Sequence, residues 1–186
     1  METTIRRYFD DLYANDAVSR YSSFVDIISK TNQPVAWVYE VWDELVAMLS
    51  DKNNHRRAIA SQLLCSLAKS DTEGRMMHDV GKLMQLTYDE KFVTARHTLQ
   101  SLWKIAVVNS RYNQLLVTHL TDRFTHAMSH HNGTLVRFDI IELFKKIYDV
   151  TGNPEVRQQA AQLIATETDL KYRKKYAAVW KAPTGE

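Results

Sequence analysis

Apolar residues recur at i, i+3, i+4 and i+7 along nearly the whole chain, from residue 2 to residue 181, and almost nowhere alternate. The pattern predicts helices and essentially no strand. Val35, Val38, Trp42, Leu45, Val46 and Leu49 form one helical stripe, and Asn32-Gln33-Pro34 ahead of it supplies a polar cap followed by a proline suited to a first turn. Asn153-Pro154 repeats that device. Polar breaks fall at Ala14-Asn15-Asp16, Ser50 to Asn54, Ser70 to Gly74, Tyr88-Asp89-Glu90, Asn109-Ser110, His131-Asn132-Gly133 and Thr168-Asp169. They divide the chain into about ten helices of roughly 13–20 residues with short connections, as antiparallel helical neighbours require.

Several of these helices begin alike. Arg57, Arg96, Arg137 and Arg157 each follow a polar turn and are followed at +6 and +7 by Leu63-Leu64, Leu102-Trp103, Leu143-Phe144 and Leu163-Ile164. Position +3 holds Ala60, Leu99, Ile140 and Ala160, and +10 holds Leu67, Ala106 and Ile147 in the first three. These positions share one helix face. The arginines are 39, 41 and 20 residues apart, so two intervals fit a repeated helix pair of about 40 residues and the third fits one helix and its turn.

The segments 51–64, 89–96, 135–137 and 154–161, with Val136-Arg137 and Val156-Arg157 among them, resemble the second helix of HEAT repeats, in which a polar turn precedes Val-Arg and an apolar ladder. The whole chain is similar to small bacterial HEAT-like repeat proteins. The resemblance implies an all-α, right-handed α-α superhelix, an armadillo-type solenoid in one domain. Helix pairs would span 34–167, with capping helices at 1–33 and 168–182 and a tail at 183–186. A helix pair of that size cannot bury its apolar face alone, so neighbouring pairs would share a core. The four arginines would tie neighbouring turns together through acids or carbonyls, Asp51 and Asp89 being suitable acceptors.

A concave surface would then be drawn from the remaining positions of those helices: Gln62, Cys65 and Ser66; His97, Thr98, Ser101, Lys104 and Ile105; Phe138, Asp139, Glu142, Lys145 and Lys146; Gln158, Gln159 and Gln162. This face is mixed and polar. It has neither the dense Lys/Arg stripe of a phosphate-binding surface nor an aromatic platform for stacked bases. A protein or peptide is therefore the expected partner, held by a non-catalytic scaffold.

Composition agrees with a folded helical protein. The 186 residues are 45% hydrophobic and 25% charged, with only 5 Gly and 3 Pro, which excludes collagen-like, low-complexity and disordered classes. One cysteine, Cys65, excludes an internal disulfide framework, and a cytoplasmic location without membrane attachment is expected. Net charge is +2, but residues 1–50 carry −4 and the remainder +6.

The candidate chemistry is sparse. His119, Asp122, His126 and His130 lie at i, i+3, i+7 and i+11, and His126 with His130 has the i, i+4 spacing of a zinc pair; a solvated polar flank is the plainer reading, and no metal is expected. Cys65 has no neighbouring base in sequence and reads as an inert thiol. Trp37, Trp42, Trp103 and Trp180 sit among aliphatics as core residues, and the glycines form no phosphate loop. No cofactor is expected. The alternative function also comes from the resemblance: some HEAT-like proteins are DNA glycosylases for alkylated bases, using Trp, Asp and Arg side chains. The counterparts here would be Trp103, Asp139 and Arg137. Trp103 stands on the apolar ladder and Arg137 in the structural register, so nucleic-acid binding ranks second.

Overall fold

Asp and Asn side chains start five of the eleven α-helices among the described residues. In the computed structural model, which describes residues 3–14, 16–129 and 131–181, the side chains of Asp16, Asn53, Asn109, Asn153 and Asp169 each accept a first-turn N–H. Each satisfies one of the donors that a helix start leaves unpaired. The described residues form eleven α-helices and two 3-10 turns, with no strand among them. The chain divides into two compact units, 1–101 and 102–186.

The first unit contains α1 (Thr3–Asp11), α2 (Ala17–Lys30), α3 (Val38–Met48), α4 (Asn54–Leu67), α5 (Met76–Leu86) and α6 (Phe92–Ser101). Helix α4 is its centre, packed against α2, α3 and α6. It is consequently buried almost all round, and Leu63, Leu64, Cys65 and Leu67 are fully inaccessible. Trp42 closes the core from α3, also fully buried, with its indole N–H donating to Asp79 at 2.9 Å. Arg57 fastens the turns. Its Nε and Nη2 donate to the two oxygens of Asp89 at 2.7 and 2.8 Å, and its Nη1 donates to the Asp51 carbonyl at 2.9 Å. Asp89 Oδ1 also accepts the Lys91 N–H at 2.8 Å, so one carboxylate joins α4 to the start of α6.

The second unit contains α7 (Trp103–Ala106), α8 (Ser110–Thr125), α9 (Gly133–Thr151), α10 (Pro154–Ala165) and α11 (Leu170–Ala178). Here α9 is the hub, against α7, α8, α10 and α11. Phe124, Ile140, Phe144, Ile147 and Tyr176 are fully buried, and the Tyr176 hydroxyl donates to the Thr134 carbonyl at 3.0 Å. Arg137 repeats the device of Arg57. It donates from Nη1 to Glu167 at 2.9 Å and from Nε to the Phe124 carbonyl at 3.1 Å, while Glu167 Oε1 accepts the Asp169 N–H at 3.0 Å. Two glycines shape α9. Gly152 ends it in the left-handed region at φ +64°, and Gly133 begins it where a Cβ would overlap the Ala127 carbonyl.

Three local expectations need correction. Asn32-Gln33-Pro34 does not open a helix: α3 starts at Val38, and the Val35 N–H is taken instead by Ser70 Oγ at 3.0 Å, which holds this stretch in a loop. The helix carrying Arg96 does not run through Ala106 but stops at Ser101. Thr98 and Ser101 hydroxyls bond the carbonyls of Thr94 and His97 one turn back, a competition with the helix that favours bending and termination. The helix expected across 111–131 ends at Thr125, with His126 as its cap. The expected tail 183–186 and His130 lie outside the described residues. No helix among the described residues is long and apolar enough to cross a membrane.

Replacing Arg57 by Ala or Asp89 by Asn should each destabilise the protein by about 3 kcal/mol in urea unfolding, the scale for stranding half of a buried ion pair. Arg57→Lys should recover only part of this, because an ammonium cannot supply the two-pronged contact. Burial pushes the Asp89 carboxyl up, but the bonds from Arg57 and the Lys91 N–H outweigh it and hold the group below the usual carboxylate range. Its contribution is therefore present above about pH 4 and is lost as pH falls through the depressed folded value. Unfolding from pH 7 to pH 3 should show this acid-side loss, reduced in Asp89→Asn. A glycine pair gives a second check. Gly133→Ala should cost about 1–3 kcal/mol by forcing backbone apart, whereas Gly81→Ala, helical and facing open space, should add about 0.4–1 kcal/mol.

Candidate functional site

Only part of the expected recognition face reaches solvent. Ser66, Ser101 and Asp139 are 2%, 7% and 1% exposed, and Cys65, Thr98 and Ile105 are fully buried, so these six cannot line an open surface. For Cys65, Ser66 and Asp139 the cause is packing on several sides: α4 and α9 are hubs and have few positions left over. Small hydroxyls are accommodated because each finds a partner. Ser61 donates to the Ala58 carbonyl at 2.9 Å, and the Thr98 hydroxyl lies 2.9 Å from both the Thr94 carbonyl of its own helix and Ser61 Oγ of α4, which compete for its one proton.

The structure brings Gln62 and His97 together in the first unit. They line a groove of about 350 Å³ bounded by α2, α4 and the start of α6, with Tyr21, Phe24, Ile59 and Val93 as its apolar part. Arg20, His55 and His97 supply its basic groups, and among the described residues no carboxylate lines it. Arg20 is fixed by a 2.6 Å bond to the Ala14 carbonyl, and Gln62 by a 3.0 Å bond to the Ala58 carbonyl. Around the groove α2 leaves much of its apolar arc open: Val18 is 76% exposed, Tyr21 69% and Val25 43%, and across the groove Val93 on α6 is 55% exposed. Of α2, only Ser23 and Ile27 are buried. A helix with more apolar surface than its neighbours cover presents a contact face.

The remaining expected residues are dispersed over the second unit. Lys104 and Glu142 are half-buried, and Gln158 and Gln162 are exposed on α10. Lys145 is paired with Asp149 along α9. Phe138 is half-buried under the ammonium of Lys175, 4.5 Å from its ring centroid. They do not converge. A larger cavity of about 590 Å³ opens in this unit between the first turns of α8 and α10 and contains one of the expected residues, Gln159, together with Asn109, Asn113, Gln114 and Asn153, among others. Its further signal in the sequence is the pair of Asn caps.

The four registered arginines divide. Arg57 and Arg137 form the clamps described above, Arg96 is half-buried on α6, and Arg157 is exposed, 5.9 Å from the Tyr148 ring. The glycosylase-like trio is not assembled for a duplex: Asp139 is buried, and Arg137 is engaged by Glu167 and Phe124. In the histidine stripe His126 Nδ1 lies 3.2 Å from Asp122, both largely exposed, and burial holds the His119 imidazole below its usual range. Among the described residues no group of three His, Cys, Asp or Glu side chains is placed to hold a metal ion.

The sequence matches no known family model and no curated protein. In structure the chain is similar to two engineered proteins solved by crystallography. One is 15% identical, with 96% of this chain and 78% of the other aligned at a TM-score of 0.53. The second is 16% identical, with 96% and 79% aligned at 0.52. At such identities the likeness is one of fold alone, a helical architecture that this chain shares.

Burial of Cys65 has a chemical readout. A thiol reagent should modify the native protein only as fast as α4 is exposed by unfolding, and at once in denaturant. Rapid labelling of the native chain would contradict the packing around α4.

Proposed function

We propose that the chain is a non-catalytic, HEAT-like helical-repeat scaffold that holds a peptide or protein partner, and that the groove bounded by α2, α4 and α6 does the holding. The observation that carries this reading is the exposed apolar arc of Val18, Tyr21 and Val25 on α2, of which Tyr21 lines a groove already formed by well-packed helices. A rigid wall limits the ordering cost of binding. Tyrosine is also a common anchor at interfaces, with an apolar body and a polar tip. Because Arg20, His55 and His97 line the groove and no acid does, the partner should place a carboxylate beside a bulky apolar side chain. The recurrence of the Arg57–Asp89 and Arg137–Glu167 clamps, one in each unit, supports reading the helix pairs as repeats.

The test is selection of peptides from a random display library on the wild-type chain, followed by affinity measurement on variants. Selected peptides should be enriched in large apolar residues flanked by Asp or Glu. Tyr21→Ser and Val93→Ser should each weaken binding about tenfold or more, with the melting temperature unchanged because both side chains are largely exposed. Undiminished binding by both variants would refute the groove. Steeply salt-dependent binding of duplex DNA, with no peptide selected, would favour the nucleic-acid reading instead.

A further inference from the structure

The cavity of the second unit has a different chemistry, and it shares no residue with the α2–α4–α6 groove. At about 590 Å³ it falls within the roughly 300–1,000 Å³ range of ligand pockets. Five side-chain amides line it, from Asn109, Asn113, Gln114, Asn153 and Gln159. Ala106, Val107, Val117 and Val156 supply aliphatic surface, and Glu155 is the one charged residue of its lining among the described residues.

The amides are partly committed, in a way that leaves both donors and acceptors. Asn109 Oδ1 accepts the Tyr112 N–H at 2.9 Å and Asn153 Oδ1 the Glu155 N–H at 3.0 Å, so both keep their NH2 groups as donors. Asn113 does the reverse. Only 9% exposed, it donates Nδ2 to the Ala106 carbonyl at 3.3 Å and keeps its Oδ1 as an acceptor. Gln114 and Gln159 each add an amide with both a donor and an acceptor. Because the two Asn caps are held by first-turn N–H groups, these positions are ordered before any ligand arrives.

An extended polypeptide is the natural complement of such a wall. Its N–H and C=O groups alternate, and each needs a partner when it leaves water. A nucleotide is a poorer match, since the lining offers neither a cation for phosphate nor a ring on which a base could stack. Glu155 adds charge selection for a basic side chain. We propose that this cavity binds an extended peptide segment through its main chain, with a Lys or Arg side chain of that peptide opposite Glu155. The site does not depend on the reading of the α2–α4–α6 groove.

The test is an NMR titration of the 15N-labelled full chain with the capped peptide acetyl-Ala-Val-Lys-Val-Ala-amide. The side-chain NH2 signals of Asn109, Asn113, Gln114, Asn153 and Gln159 should shift together and saturate. A peptide N-methylated at alternate residues should bind at least tenfold more weakly, and Gln114→Ala or Gln159→Ala should each cost about fivefold. Glu155→Gln should weaken the lysine peptide up to about fivefold and leave its Lys-to-Ala counterpart unchanged, and Tyr21→Ser should change neither. Gln114 and Glu155 are exposed, and the same spectra report whether each variant is folded. The proposal is overturned if the amide signals stay fixed, if the N-methylated peptide binds equally well, if Tyr21→Ser abolishes the shifts, or if those signals answer to uridine monophosphate or maltotriose and not to the peptide.

Discussion

A guanidinium gripping a buried carboxylate at a turn is the interaction on which both units depend. Arg57 and Asp89 are 12% and 5% exposed in their side chains, and Arg137 and Glu167 are 12% and 3% exposed. Charges this far from water are tolerated only when nearly every lone pair and N–H is matched. Each acid is matched twice, by the arginine and by the N–H two residues farther on, and each arginine also caps backbone carbonyls of the turn before it. The planar five-donor fork of arginine makes this possible. Apolar burial provides most of the driving force in each unit, but it is indifferent to small slides of one helix along another. The clamp is directional and sets the register in which the apolar faces meet.

The fold was legible for reasons that can be named. Helix starts were marked by Asx residues whose capping role depends only on local geometry, as at Asn53, Asn109, Asn153 and Asp169. The apolar register after Arg57 and Arg137 was visible because a helix repeats its face every three to four residues. What could not be read was how many neighbours each helix acquires. Ser66 and Asp139 occupy positions that would be solvated on a helix packed on one side, and they are buried because α4 and α9 are surrounded. The loop at Pro34 was misread for a similar reason, since the Ser70 hydroxyl that takes the Val35 N–H lies 35 residues away in sequence.

The two grooves were hidden to different degrees. Gln62 and His97 were singled out by position, but the apolar half of their groove comes from α2, which carries no arginine register and had been set aside as a cap. Two of the five amides of the cavity, Asn109 and Asn153, also begin helices, and that role alone accounts for their place in the sequence. A side chain with both a donor and an acceptor can serve two masters: one end closes the helix, and the other is available at the surface. The two grooves thus differ in kind, one apolar with ionisable nitrogen groups, the other amide-lined with a carboxylate.

The clamps also act as rulers. Arg57 and Asp89 are separated by 32 residues, Arg137 and Glu167 by 30. An insertion within α5, or between α9 and α10, would carry the acid away from its arginine and strand two charges in the interior. Length variation in related chains should therefore accumulate outside the spans 57–89 and 137–167.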